Sequence, residues 1–267
     1  MIPCIYIHHD RPFQWADQIL AQSRKWGNKT FFISDQPQRT HDITKYREQY
    51  DAFLKVYSCQ SSNGVWFESA CFSRWFILAE FMRQENIPLA FHLDTDTVLY
   101  VNVSEEFPKW QNYDLTLVLG ECGAACFITR ERVQDFCDYV LRVYTEKGET
   151  YQGLVHIYEE LQRQHLDGGI SDMMLLKLYR LQNGIPYGEM TDIREGKTYD
   201  HIMRSANPGG YRMWEEIKDI EFSEGVPYGT VEATGEKIRF CSLHFQGQVD
   251  RLIPCYVGIE NGRPNIG

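Results

Sequence analysis

Two aspartates separated by one residue, Asp94 and Asp96, form the pattern in this 267-residue sequence that most directly suggests chemistry. They follow the apolar stretch 88–93, which predicts a buried strand. Alternate residues of a strand point to the same side, so both carboxylates should face one direction at its carboxyl end, where open α/β sheets bind ligands. Adjacent carboxylates repel each other unless a cation or shared proton compensates, and their hard oxygens suit Mg²⁺ or Mn²⁺. The pattern predicts a metal site; the alternative is a pair of turn-forming aspartates.

An arginine interrupts the apolar face of the helix predicted over 67–84. At 100° per residue, several apolar side chains of this helix lie within about 60° of Arg74. A guanidinium that faces the interior requires an anionic partner, and the strand that follows supplies Asp94 and Asp96. We therefore expect Arg74 to contact these carboxylates, either in a functional site or as a purely structural ion pair.

The elements that must position these residues alternate between strands and helices over the first 130 residues. Short apolar runs predict strands, and apolar residues recurring at i, i+3 and i+4 predict helices. The predicted strands cover 2–8, 30–34, 52–57, 88–93, 115–120, 124–129, 237–245 and 252–259. The predicted helices cover 13–26, 67–84, 130–144 and 171–182. Residues 184–237 are rich in glycine, proline and charge, so we expect loops there, including a candidate lid.

This β-α-β rhythm favours an α/β fold with a mostly parallel sheet and helices on both faces, in a single domain spanning 1–267. The fractions of hydrophobic (43%) and charged (24%) residues exclude a disordered or fibrous protein. The net charge of −10, without a run of Lys or Arg, disfavours binding to nucleic acid or to an anionic membrane.

Sequence features also bear on location and on the cysteines. No apolar stretch predicts a transmembrane segment and no leader-like segment opens the sequence, so we expect a cytoplasmic protein with eight reduced cysteines. Cys122 and Cys126 have no matching Cys or His pair nearby, so we do not expect a zinc site.

Three motifs in this order resemble those of GT-A fold, metal-dependent nucleotide-sugar glycosyltransferases. They are Arg74 on a helix, Asp94-Thr95-Asp96 after a strand, and His244 followed by Gly247. The last pair is similar to the carboxyl-terminal His-x-x-Gly-x-x-Lys motif of glycogenin-like glycosyltransferases, although Asp250 occupies the position of the lysine. The resemblance covers most of the chain and implies a Rossmann-like, mixed but mostly parallel sheet flanked by helices.

The resemblance also implies roles for particular residues. It implies a nucleotide-binding half in about 1–100, and an acceptor-binding half with a metal-binding strand in about 101–267. The implied ligands of Mn²⁺ or Mg²⁺ are Asp94, Asp96 and His244. The implied donor-binding residues are His8, His9, Asp35, Arg74, Asp94 and Gly247. The implied catalytic residues, which would contact sugar hydroxyls or act as a base, are Asp172, Asp167 and Glu121. For Asp172 the alternative is an acid favoured by the dipole of its helix.

The reaction implied is transfer of a sugar from a nucleotide-diphosphate donor to a hydroxyl of a glycan or other acceptor, with retention of configuration. A second resemblance is to the haloacid dehalogenase-like phosphatases, whose strand followed by Asp-x-Asp-x-Thr/Val fits 94–98. There the first aspartate is a nucleophile and the second a general acid, and 167–172 would be the distal acidic motif. That motif normally follows the first strand, however, whereas 93 residues precede Asp94 here. A non-catalytic nucleotide- or sugar-binding protein is the third possibility.

Overall fold

The computed structural model describes residues 1–10 and 12–266, which form alternating strands and helices. The strands are β1 (Cys4–His8), β2 (Thr30–Ser34), β3 (His41–Asp42), β4 (Leu89–Leu93), β5 (Thr97–Leu99), β6 (Thr116–Leu117), β7 (Ala125–Thr129), β8 (Gly188–Glu189), β9 (Lys197–Tyr199), β10 (Met213–Trp214), β11 (Ile217–Lys218), β12 (Ile220–Ser223), β13 (Val226–Thr230) and β14 (Lys237–His244). The α-helices are α1 (Ala16–Lys25), α2 (Glu48–Leu54), α3 (Val65–Gln84), α4 (Val103–Glu106), α5 (Arg130–Glu146), α6 (Glu149–Arg163), α7 (Asp172–Gln182) and α8 (Ile253–Tyr256). Short 3₁₀ helices cover Ile43–Tyr46, Phe107–Lys109 and Gly247–Leu252. Over the described residues, no helix combines the length and apolarity that crossing a bilayer requires.

A five-stranded sheet in the order β3-β2-β1-β4-β7 forms the centre of the fold. The first four strands in this order run parallel, and β7 pairs antiparallel with β4. Successive side chains of β1 point to opposite faces, so Tyr6 joins the core beneath α1, whereas Ile5 and Ile7 join the core beneath α3 and α5. The expected α/β class, with a mostly parallel sheet flanked by helices, is confirmed.

One edge of this sheet collects the carboxyl ends of β1, β2 and β4, because these strands run parallel. Their last residues are His8, Ser34 and Leu93, and the 94–96 segment follows β4 directly. The candidate residues that follow these strands in sequence therefore lie along a single edge.

A second sheet connects this edge to the carboxyl-terminal part of the chain. Its order is β12-β13-β14-β5, and β9 pairs in parallel with β14. β14 and β5 are antiparallel, with His244 opposite Thr97. Because Thr97 directly follows Asp96, this register carries His244 to the aspartates.

Helix α3 packs tightly into the core, and glycine at position 123 permits its closest approach. The indole of Trp75 lies against the backbone of Gly123, where any Cβ would clash with the ring. A larger residue at 123 would therefore displace α3 or its tryptophan.

Two strands expected from the sequence are absent, and a helix occupies part of each stretch. The expected strand over 52–57 is wrong because the stretch begins inside α2, where Phe53 is completely buried. The expected strand over 252–259 is wrong because Ile253–Tyr256 form α8. Pro254 lacks the amide hydrogen that a strand ladder needs and suits the first turn of a helix. Short apolar runs are compatible with either element, and packing decides.

The structure also contains one helix and several short strands that the sequence pattern does not predict. Helix α6 was not expected, and strands of two to five residues, β8 to β13, occupy much of 184–237, where we expected loops. Within the described residues the structure contains no disulfide, and five of the eight cysteines are buried: Cys4, Cys122, Cys126, Cys137 and Cys241.

Candidate active site

Asp94 and Asp96 occupy the tight turn between β4 and β5. The Asp94 amide donates to the carbonyl of Ala124 at 2.9 Å, and the Thr97 amide donates to the carbonyl of Asp94 at 3.0 Å. These two aspartates and His244 each place one ligand atom within 4.8 Å of the others. In the part of the chain that the structure describes, no other three His, Cys, Asp or Glu side chains are arranged in this way.

His244 presents its Nε2 atom to the aspartates. Its Nδ1 lies 2.6 Å from the carbonyl oxygen of His201, which can only accept a hydrogen bond, so Nδ1 carries a proton. Nε2 lies 3.3 Å from Oδ1 of Asp96. A neutral imidazole in this tautomer directs its Nε2 lone pair into the cluster, as metal-ligating histidines do. Two carboxylates and one imidazole fit the donor preferences of Mn²⁺, and the carboxylates suit Mg²⁺.

Positive charge is favoured in this cluster. Burial lowers the pKa of His244, but the carboxylates of Asp96 and Asp94 outweigh burial and raise that pKa to about 9. Burial raises the pKa of Asp94, but the guanidinium of Arg74 together with His92 and His244 outweighs burial and holds the pKa well below its usual range. Asp94 is therefore ionised, and a proton or a divalent metal ion is stabilised at Nε2 of His244.

Arg74 joins Asp94 to Asp172. Its Nη1 donates to Oδ1 of Asp94, and its Nη2 and Nε lie 2.5 and 3.2 Å from Oδ2 of Asp172. The indole Nε1 of Trp75 donates to the same Asp172 oxygen at 2.8 Å. The side chains of Arg74 and Asp172 are only 13% and 3% exposed, so each charge depends on the other for compensation.

Asp172 begins α7, and Ser171 caps that helix. The hydroxyl of Ser171 accepts a hydrogen bond from the amide of Met174 at 3.2 Å, so the N-cap predicted from the sequence is present. Asp172 lies in the first turn, where the helix dipole favours an acid, and it also binds Arg74. The dipole and the ion pair therefore act together on this carboxylate.

The glycines before α7 allow two loops to approach each other. Gly169 has a φ of 146°, and a Cβ there would clash with the backbone of Gln60. The amide of Ile170 donates to the carbonyl of Gln60 at 2.7 Å. The structure thus gives these glycines a packing role, while Asp167 beside them is exposed.

Two donor-binding candidates lie along the sheet edge. Nδ1 of His8 lies 3.2 Å from Oγ1 of Thr95, so the end of β1 contacts the turn that carries both aspartates. Asp35, directly after β2, accepts a hydrogen bond from the amide of Asp10 at 3.0 Å. Asp35 and His8 are therefore connected through the segment that follows β1.

His9 has a different environment. Its Nε2 lies 2.5 Å from the hydroxyl of Ser73, one residue before Arg74, and its Nδ1 contacts the carboxylate of Asp10. His9 is 7% exposed, so it links β1 to α3 rather than standing open at the surface.

The two remaining candidates lie in turns. Glu121 forms an ion pair with Lys177 of α7, with 2.8 Å between Oε2 and Nζ. Gly247 begins the 3₁₀ helix after β14 with a φ of 74°, a conformation that favours glycine. These contacts supply structural reasons for both residues without assigning them a ligand.

Sequence reasoning missed the residues that contact the backbone and Nδ1 of His244, and the lysine that holds those residues. Asp200 and His201 follow β9, and Lys218 ends β11. Asp200 accepts a hydrogen bond from the His244 amide at 3.0 Å. These residues lie in the 184–237 stretch, which has little periodicity. The pairing of β9 with β14 brings Asp200 and His201 to the site, and Lys218 reaches it through hydrogen bonds to Ile202 and Met203.

The sequence matches no protein-family model and no curated protein sequence. Several solved structures match. Mouse xyloside xylosyltransferase 1 in its apo form is 10% identical, with 73% of this chain and 87% of that chain covered and a TM-score of 0.43. The glycosyltransferase GlyE of Streptococcus pneumoniae TIGR4 is 12% identical, with 71% and 45% covered and a TM-score of 0.35, so this chain spans less than half of its length. A glycosyltransferase involved in glycosylation of the major capsid of PBCV-1 is 9% identical, with 60% and 74% covered and a TM-score of 0.32.

Proposed function

We propose that this protein is a divalent-metal-dependent glycosyltransferase that moves a sugar from a nucleotide-diphosphate donor to a hydroxyl of a glycan or other acceptor. One observation carries the proposal. Asp94, Asp96 and His244 place their ligand atoms within 4.8 Å of one another beside Arg74, at the carboxyl edge of a parallel sheet. Open α/β sheets bind ligands at this edge.

The proposed ligands of Mn²⁺ or Mg²⁺ are Asp96 and His244, with Asp94 contributing the oxygen that Arg74 does not bind. When bound, the cation supplies positive charge that stabilises a departing diphosphate. The contact with the His201 carbonyl keeps the proton on Nδ1 of His244, so Nε2 is the nitrogen that releases its proton and binds the cation.

Donor recognition is assigned to the same edge. We propose that His8 and Asp35 contact the nucleotide, that His9 supports this edge through its contacts with Ser73 and Asp10, and that the backbone at Gly247 approaches the diphosphate. Arg74, which contacts Asp94, would orient the donor sugar. Its guanidinium is fixed by Asp94 and Asp172, so little conformational freedom is lost on binding.

The acceptor would bind beside Asp172, Asp167 and Glu121. Arg74 and Trp75 both donate hydrogen bonds to one oxygen of Asp172, so this oxygen is already engaged and is not free to accept a proton from an acceptor hydroxyl. An inverting reaction needs a free carboxylate beside the acceptor hydroxyl. The engagement of Asp172 therefore supports our proposal that the configuration of the transferred sugar is retained, with Asp172 contacting sugar hydroxyls.

The remaining proposals concern organisation. We assign residues 1–267 to a single domain, with a nucleotide-binding half in about 1–100 and an acceptor-binding half in about 101–267. We also propose that the protein acts in the cytoplasm, where its free cysteines would remain reduced.

The phosphatase alternative requires Asp94 as a nucleophile. The contact with Arg74 stabilises the carboxylate charge of Asp94 and so makes it a poorer nucleophile. A phosphatase predicts release of phosphate from a generic phosphomonoester, abolished in Asp94→Asn. A binding protein predicts affinity without turnover.

The deciding experiment is thermal melting with UDP-, GDP-, CDP- and dTDP-sugars, each with Mn²⁺ and with EDTA. A ligand at 100 times its dissociation constant stabilises the folded state by about 2.7 kcal/mol, which raises the melting temperature by several degrees. A Mn²⁺-dependent shift with one nucleotide supports the proposal and identifies the base. A shift only with Mg²⁺ plus a phosphate analogue contradicts it and favours a phosphatase.

A further inference from the structure

A buried ion pair between Lys218 and Asp200 lies next to the backbone of His244. Nζ of Lys218 is 2.8 Å from Oδ1 of Asp200, and both side chains are 1% exposed. A buried pair of this kind contributes little to stability, because the loss of hydration offsets the attraction between the charges. The loss of hydration on burying these two charges therefore suggests that the pair has a role other than stabilising the fold.

The segment that contains Asp200 forms three hydrogen bonds with His244. The His244 amide donates to Oδ2 of Asp200 at 3.0 Å. Nδ1 of His244 donates to the carbonyl of His201 at 2.6 Å, and the amide of Met203 donates to the carbonyl of His244 at 2.9 Å. The amide, ring and carbonyl of this one histidine are all held by residues 200–203.

Lys218 fixes the segment from the other side. Its Nζ donates to the carbonyl of Ile202 at 2.5 Å as well as pairing with Asp200. Its amide donates to the carbonyl of Met203 at 2.8 Å. The Lys218 side chain therefore holds the residues on both sides of His201, whose carbonyl selects the tautomer of His244.

We propose that Asp200 and Lys218 are positioning residues that hold Nε2 of His244 in the geometry of a metal ligand. This inference rests on the proposed metal-dependent function. The pair acts through residues 200–203: without Lys218, the His201 carbonyl loses its fixed position, and the imidazole loses the contact that orients it toward Asp96. Partners that orient a ligating histidine typically change metal affinity by about 10- to 100-fold when they are removed.

The test uses the double variant Asp200→Asn/Lys218→Met, because removing one charge alone would leave the other buried and unpaired. Mn²⁺ binding is measured by electron paramagnetic resonance, with the protein alone and with UDP, GDP, CDP or dTDP. We expect the dissociation constant for Mn²⁺ to rise about 10- to 100-fold. The control is Glu160→Gln/Arg163→Met, which removes an exposed ion pair on α6, a helix that supplies none of the contacts to His244 described above, and should leave Mn²⁺ affinity unchanged.

A second readout needs no metal. Amide hydrogen exchange at His244 and Met203 should accelerate in Asp200→Asn/Lys218→Met and remain slow in the control variant. If wild-type protein binds Mn²⁺ through His244, as judged by loss of binding in His244→Ala, and the Asp200/Lys218 variant binds it equally well, the positioning role is overturned while the proposed function stands. If wild-type protein binds no Mn²⁺ under any of these conditions, the proposed function and the positioning role both fall.

Discussion

Nε2 of His244 lies 3.3 Å from Oδ1 of Asp96, although the two residues are far apart in sequence. The antiparallel pairing of β14 with β5 creates this contact, because it places His244 opposite Thr97. Next to this pairing, the amide of Phe245 donates a hydrogen bond to the carbonyl of Asp96 at 2.8 Å. The backbone on both sides of the contact is therefore fixed, and a cation that binds there needs little rearrangement of the protein.

The first prediction concerns Asp96. Asp96→Asn removes one negative charge from the cluster while keeping the side-chain shape, so the Mn²⁺-dependent rise in melting temperature with a nucleoside diphosphate should disappear. Asp135→Asn, an exposed aspartate on α5, is the control and should keep the full shift. Unchanged Mn²⁺-dependent binding in Asp96→Asn would exclude this residue as a ligand.

The second prediction concerns the pH dependence of metal binding. With the pKa of His244 raised to about 9, Nε2 is protonated at neutral pH and must lose its proton when metal binds. Affinity for Mn²⁺ should therefore rise about tenfold per pH unit from pH 6 toward 9 and level off above it. Calorimetry in buffers of different ionisation enthalpy should detect release of one proton near pH 7. The absence of proton release would argue that His244 does not ligate the metal.

The same pKa shift predicts a change in the stability of the metal-free protein. The folded-state pKa of about 9 exceeds the ordinary value of 6.5, so the stabilising contribution is complete below pH 6.5 and is lost as pH rises through 9. Urea unfolding in EDTA should show that wild-type protein loses about 3 kcal/mol relative to His244→Gln between pH 6 and pH 9.5. If the free energy of unfolding depends on pH in the same way for wild type and His244→Gln, the raised pKa of His244 does not contribute to stability.

The sequence predicted the meeting of Asp94, Asp96 and His244 better than it predicted the residues around them. The 94–96 pattern follows a strand whose apolar run is unambiguous, and the predicted helix that carries Arg74 is present. The environment of His244 could not be predicted, because Asp200 reaches it through the pairing of β9 with β14, and Lys218 reaches it through tertiary contacts with Asp200 and Ile202. Such pairing depends on tertiary packing and leaves no periodic pattern in the sequence.

The next prediction concerns the ion pair between Arg74 and Asp172. Arg74→Met leaves Asp172, which is 3% exposed, without its charged partner, so the free energy of unfolding should fall by about 3–5 kcal/mol. Arg74→Met/Asp172→Asn should recover part of this loss, because the buried charge is gone. Arg163→Met, which removes an exposed pair with Glu160, should cost less than about 1 kcal/mol. Urea unfolding of wild type, Arg74→Met, Asp172→Asn and Arg74→Met/Asp172→Asn measures the coupling, and purely additive losses would refute it.

The final prediction concerns the contact between Gly123 and Trp75. Gly123→Ala introduces a methyl group that clashes with the indole ring, so it should destabilise the fold by about 1–3 kcal/mol. Displacement of the ring should also break the bond from its Nε1 to Asp172, so we expect impaired donor turnover even below the melting temperature. The matched control is Gly153→Ala on the exposed face of α6, where a Cβ meets nothing within 4 Å. That change should stabilise the protein by up to about 1 kcal/mol, since alanine favours a helix more than glycine does. A Gly123→Ala protein as stable and as active as wild type would show that the Trp75 ring has room to move without affecting Asp172.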